Sequence, residues 1–175
     1  MVLGKFLQPD LVLGHSVIKL TPELLKQRNL QGLVLDVDET LVPMKAAQAS
    51  DELKAWIAEL KPHFKIWLVS NNVSETRIGG IARSLDVPYL SGALKPSRRK
   101  LVQAVNAMDL PMDKVAMIGD RLMTDVLAGN RLGMFTILVD PIVDPTVAVR
   151  RHPIRNIEVL ISKVLGVSLR SPTSL

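Results

Sequence analysis

Four apolar runs recur along the chain, at 33–37, 66–69, 115–118 and 135–139, and each is nearly continuous. A strand with one wet face alternates with a period of two, so unbroken runs predict strands covered on both faces. Between the runs the period becomes helical. Leu53, Trp56, Ile57 and Leu60 make one stripe within 50–60. Asn72-Val73-Ser74-Glu75 reads as a capping box that opens a helix to about Leu85. Pro96 suits the first turn of a helix through Met108, with Leu101, Val102 and Val105 as its apolar positions. A shorter helix is predicted over 124–130, closed by Gly133, and Thr21-Pro22 caps and opens another. Strands alternating with helices predict an α/β fold, a three-layer, doubly wound, Rossmann-like sheet that is mostly parallel.

The 175 residues suit one domain, assigned to 1–165, with 166–175 as a flexible tail. Within it, segment 1–30 is helical and rich in apolar residues from Val2, Leu3, Phe6 and Leu7 to Leu20. It either packs on the core or lies against a bilayer. Cysteine is absent, which excludes disulfides, thiolate metal sites and cysteine nucleophiles. No apolar run nears the ~18 residues of a transmembrane helix, and the N-terminus lacks a secretory pattern. The expected location is the cytoplasm or an organellar matrix or stroma, at most peripheral to a membrane.

The net charge of +5 is unevenly spread. Residues 146–175 hold Arg150, Arg151, Arg155, Lys163 and Arg170 against Glu158 alone, and Lys95, Arg98, Arg99 and Lys100 cluster in mid-chain. Such clusters serve nucleic acid, anionic lipid or phosphorylated substrates. One Tyr, three Phe and two Trp are too few for a base-stacking platform, so nucleic acid is not expected as a partner. Nothing in the chain bears on its oligomeric state.

The candidate chemistry sits just after the predicted strands, where open α/β sheets bind ligands. The first run ends in Asp36-Val37-Asp38-Glu39-Thr40, whose two acids are expected to share one face and invite a divalent cation. The second ends in Ser70-Asn71-Asn72 ahead of a helix N-terminus, an anion site in outline. Lys95-Pro96 follows, and then Gly119-Asp120 with Asp125. Acid pair, hydroxyl, lysine and acid pair at four successive strand ends point to a metal-plus-phosphate site.

This ordered set resembles the haloacid dehalogenase (HAD) superfamily of phosphotransferases, in all four of its motifs. The resemblance implies that Asp36 attacks phosphorus to form an aspartyl-phosphate, while Asp38 protonates the leaving oxygen and later activates water. It implies Mg²⁺ held by Asp36, the backbone carbonyl of Asp38 and Asp120, with Lys95 offsetting negative charge. Ser70 and the N–H groups of Asn71 and Asn72 would hold phosphate oxygens. Thr40 would brace the loop, and Asp125 would orient Lys95 or a water on the metal.

Asp38 to Ser70 spans 32 residues and Ser70 to Lys95 spans 25, leaving no room for the cap domains of many HAD enzymes. An open site suits a substrate presented on a surface. The fuller stretches Asp36–Pro43 and Gly119–Gly133, with Phe6-Leu7-Gln8-Pro9-Asp10, resemble subgroup IIIA, called YqeG-like, which includes phosphatidylglycerophosphate phosphatases. That resemblance implies removal of the terminal phosphate of phosphatidylglycerophosphate, an anionic phospholipid at a membrane surface. Arg98, Arg99 and Arg121 are candidates for substrate contacts. The alternatives are a phosphatase of a soluble phosphomonoester or phosphoprotein, and a non-catalytic binding module on the same fold.

Overall fold

The computed structural model describes residues 2–142 together with Gly166 and Leu169. The basic cluster of 146–175 and the predicted tail lie outside the described residues, apart from those two positions. Six strands form one sheet: β1 (Leu11–Val12), β2 (Gly32–Leu35), β3 (Lys65–Val69), β4 (Tyr89–Leu90), β5 (Val115–Gly119) and β6 (Phe135–Leu138). Their order is β1-β6-β5-β2-β3-β4, and every neighbouring pair is parallel. The helices are α1 (Val2–Leu7), α2 (Pro22–Gln27), α3 (Asp51–Leu60), α4 (Glu75–Leu85), α5 (Arg99–Met108) and α6 (Leu127–Asn130).

The unbroken apolar runs have the predicted cause. Leu33 and Leu35 of β2 and Ala116 and Ile118 of β5 pack with Leu53, Ile57, Ile78 and Ile81 from α3 and α4. Val34 and Met117 face the other way, onto Leu101, Val105 and Met108 of α5 and Ala128 of α6. Successive side chains thus enter different cores, and each fully buried Leu or Val stabilises the fold by roughly 1.5–3 kcal/mol.

Chain order reverses between β2 and β5. The connection from β2 runs outward to β3, while β6 adds beyond β5, so the C-terminal ends of β2 and β5 diverge into a crevice. Among the described residues no domain is inserted on either side of β3, where only α3, α4 and β4 intervene.

From Leu7 to Leu30 the first segment packs on the core. Leu7, Leu11, Leu13, Val17 and Leu20 are buried, and Leu11–Val12 adds the edge strand β1, which the apolar pattern did not single out. Asp10 accepts from the Thr136 backbone N–H at 2.7 Å, and Asn130 Nδ2 donates to the carbonyls of Phe6 and Gln8, both at 2.8 Å.

Three local expectations are corrected. The cap of α4 is Ser74, which accepts from the Arg77 N–H, while Asn72 accepts from the Ser74 N–H in a turn before it. Glu75 turns to the Ser91 and Tyr89 hydroxyls instead of closing a box. Helix α5 starts at Arg99, because Leu94–Ser97 closes its own turn (Ser97 N–H to the Leu94 carbonyl, 2.9 Å) and leaves Pro96 outside. The predicted 124–130 helix is a π-helical turn over Leu122–Val126 followed by α6.

Candidate active site

Strand β2 stops at Leu35, and the chain turns through Asp36–Val42, with Glu39 at a left-handed φ of 63°. Because the strand has ended, its alternation no longer governs direction, and Asp36 and Asp38 point to different partners. Both residues nonetheless border one cleft. Asp36 is buried against Lys95, whose Nζ donates to Asp36 Oδ1 at 2.6 Å. Asp38 faces Arg77, whose Nη1 donates to Asp38 Oδ1 at 2.5 Å, and Ser70, whose Oγ donates to Asp38 Oδ2 at 3.4 Å.

Thr40 Oγ1 lies 3.2 Å from both Asp36 Oδ2 and Asp120 Oδ1 and so bridges the turn to the end of β5. Ser70 Oγ accepts the Asn72 N–H at 3.0 Å, so that N–H is turned inward rather than toward a phosphate. Asn71 pairs with the Lys95 backbone twice, Oδ1 accepting at 2.7 Å and Nδ2 donating at 3.1 Å. That pairing fixes the lysine loop against the end of β3.

Lys95 Nζ is enclosed by Asp36, the Val69 carbonyl at 2.8 Å and Asp125 Oδ1, an ion pair at 2.8 Å. Its side chain is 1% exposed. Burial works against its charge, but the Asp125 and Asp36 carboxylates outweigh burial and hold the ammonium above the ordinary lysine range. An unpaired buried lysine would be costly, and here three oxygens lie within 2.8 Å of Nζ.

Asp36, Asp120 and Asp125 are buried with one carboxylate oxygen each within 4.8 Å of the others. Burial raises Asp36 to about 6, with Lys95 pulling down and Asp125 pushing up. Burial, then the Asp125, Asp36 and Glu39 charges, push Asp120 to about 8, against the Thr40 hydrogen bond. Asp125 Oδ2 accepts from the Arg121 N–H at 3.2 Å, whereas its buried Oδ1 has the Lys95 ion pair and no aligned hydrogen bond. Three crowded carboxylates facing one ammonium leave negative charge to be offset, which is the donor chemistry of a hard divalent cation.

Over this cluster opens a cleft of about 240 Å³, lined by Asp36, Asp38, Asn71, Lys95, Arg121 and Asp125 among others. Arg121 thus borders the site, while Arg98 and Arg99 stand exposed before and at the start of α5 and do not line it. Sequence reasoning missed Arg77. The available signal was a cation in the first turn of a helix, where the dipole favours anions.

The HAD-hydrolase-like family profile matches residues 93–152. The protein named "Probable phosphatase YqeG" of Bacillus subtilis is 40% identical over 142 residues, 81% of each chain. A "Phosphatidylglycerophosphate phosphatase 1, chloroplastic" of Chlamydomonas reinhardtii is 28% identical over 67% of this chain, which spans 47% of its length. The deoxy-D-mannose-octulosonate 8-phosphate phosphatase of Haemophilus influenzae, solved with cobalt, has the same fold. It superposes with a TM-score of 0.51 at 14% identity, over 81% of this chain and 92% of that one.

Proposed function

We propose, from the premise that this chain belongs to the YqeG-type phosphatases of the HAD superfamily, that it hydrolyses phosphatidylglycerophosphate through an aspartyl-phosphate on Asp36. The observation that carries the catalytic assignment is the buried Asp36 carboxylate held by Lys95 at 2.6 Å on the floor of the cleft.

In the first step an oxygen of Asp36 bonds to phosphorus as the bond from phosphorus to the glycerol oxygen breaks. Asp38 gives that oxygen its proton. In the second, water attacks phosphorus, Asp38 takes the water's proton, and the bond between Asp36 and phosphorus breaks to release inorganic phosphate. Lys95 keeps Asp36 ionised and offsets the approach of an anionic phosphate to an anionic carboxylate. Asp36, Asp120 and the Asp38 backbone carbonyl would hold Mg²⁺, with Asp125 in the same carboxylate cluster. When bound, that cation supplies further charge neutralisation for the transferring phosphoryl group.

The lipid substrate is supported by the rim of the cleft. The exposed large apolar side chains among the described residues are Met44, Val73 and Leu94, at 54%, 76% and 71% exposure. They stand on the loops after β2, β3 and β4, where Met44 lines the cleft and Val73 and Leu94 adjoin its lining residues Asn72 and Lys95. Exposed Lys45, Arg98 and Arg99 lie beside them in the chain. Apolar tips flanked by cations suit an anionic lipid interface.

The test compares phosphate release, with and without Mg²⁺, from phosphatidylglycerophosphate in mixed micelles and from a panel of soluble phosphomonoesters. A higher kcat/KM on the lipid is expected, with activity lost in Asp36→Asn. Preference for the panel would overturn the lipid assignment, and residual turnover in Asp36→Asn would overturn the mechanism.

A further inference from the structure

Arg77 is placed to govern the proton that Asp38 carries. Its guanidinium meets three acceptors: Nη1 the Asp38 Oδ1 at 2.5 Å, Nε the Ala46 carbonyl at 2.8 Å and Nη2 the Pro43 carbonyl at 3.2 Å. The two charged side chains are only 15% and 16% exposed, so the pair is largely shielded from solvent screening. Helix α4, whose first turn carries Arg77, is itself pinned by the Ser74 cap and by Glu75 on Ser91 and Tyr89. One planar fork therefore ties the helix after β3, the loop after β2 and the Asp38 carboxylate into a single rigid unit.

The two oxygens of Asp38 are consequently unequal. Oδ1 is occupied by a guanidinium, a group that cannot give up its proton. Among the described residues Oδ2 meets the Ser70 hydroxyl, at 3.4 Å, and Asp38 lines the same cleft as the nucleophile Asp36.

We propose that Arg77 is a positioning residue that reserves Oδ2 of Asp38 for proton transfer and aims it at the reacting phosphate. This rests on the reading of Asp38 as acid and base given above. The proton starts on Oδ2 and passes to the departing oxygen as the bond between Asp36 and phosphorus forms. Oδ2 is restored when it takes a proton from the attacking water, and Arg77 keeps its charge throughout. A lysine cannot replace it, because one ammonium does not present three coplanar donors to three acceptors spread along the loop after β2.

The experiment is the dependence of kcat/KM on leaving-group basicity, measured with Mg²⁺ present for the full chain, Arg77→Ala, Arg77→Lys and Asp38→Asn. Dinitrophenyl phosphate needs little help from an acid, whereas an alkyl phosphate needs all of it. For Arg77→Ala the expected loss is about 100-fold on the alkyl ester and under about 3-fold on the dinitrophenyl ester, within the range that a positioned acid contributes. Added guanidinium should recover part of the alkyl rate in Arg77→Ala, and Arg77→Lys should stay impaired on that ester. Equal loss on both esters, or full activity in Arg77→Lys, overturns the proposal. If Arg77→Ala does not fold, the same comparison in Arg77→Lys decides it. Asp38→Asn separates the two assignments: equal slowing of both esters there would overturn the acid role of Asp38 itself, whatever Arg77 does.

Discussion

A Cβ added at Gly119 would overlap the carboxylate of Asp125, which folds back under the end of β5 to reach Lys95. The glycine is therefore needed for close approach, and the residue after it, Asp120, joins the carboxylate cluster. Gly119→Ala is expected to displace Asp125 and lower kcat by about 100-fold, since misplacing a catalytic group by about 1 Å has that effect. Steady-state kinetics on a protein whose circular dichroism is unchanged would check it, and kcat within 2-fold of the parent would refute it. Asp120 makes a pH prediction. Its folded carboxyl titrates at about 8, against 3.8 ordinarily, so the folded state holds an extra proton between those values. Stability of the metal-free protein should therefore fall as pH rises from about 4 to about 8. Asp120→Asn removes that penalty, so in chelator its Tm should exceed the parent's by about 5 °C at pH 8 and by much less at pH 5. A Tm difference independent of pH would contradict the assignment. Asp120→Asn should also lose most of the Tm gain that Mg²⁺ gives the parent.

Helix α4 shows how an element serves the site without touching the cleft floor. Its N-cap is Ser74, and its first turn carries Arg77 into contact with Asp38. Ser74→Ala should cost about 1 kcal/mol and lower Tm by about 3 °C. Because fraying there loosens the Arg77 clamp, alkyl phosphate turnover should drop more than dinitrophenyl phosphate turnover. Calorimetry together with the two-substrate comparison tests both parts. Strand β2 illustrates the reverse case, an element whose packing sets the position of chemistry at its end. Leu33→Ala opens a void between the sheet and α3 and α4 and should cost about 2–5 kcal/mol in denaturant unfolding. The existence of β2, β3, β5 and β6 was legible because their residues are mostly apolar and enter the cores on the two faces of the sheet. Strands β1 and β4 have two residues each, too short for any period to register. The boundaries of α4 and α5 were misplaced because Asn72 and Pro96 serve turns that only neighbouring strand ends define.

Over the whole molecule, parallel strands bring the ends of β2, β3, β4 and β5 to one edge, and the apolar tips Met44, Val73 and Leu94 come with them. Val73→Ser with Leu94→Asn should weaken sedimentation with anionic vesicles. It should also lower turnover of micellar lipid by about 10-fold, with a much smaller effect on a soluble aryl phosphate, since each side chain removes apolar area from the docking face. Equal vesicle binding by the double variant would refute the interfacial role of the rim. No helix of the described residues is long and apolar enough to cross a membrane.

The chain's own residue order was enough to announce the parallel α/β sheet, the absence of room for a cap, and Asp36, Ser70, Lys95, Asp120 and Asp125 as residues that meet at one sheet edge. Periodicity reports burial, and reactive residue types placed directly after buried strands report the sheet edge, so both signals are local. Three features came from the folded chain alone: the separate partners of Asp36 and Asp38, the inward turn of the Asn72 N–H, and Arg77 locked onto Asp38 across 39 positions. They depend on where a strand stops and which loops then meet. Long-range packing decides such contacts, and no pattern of neighbours along the chain encodes them.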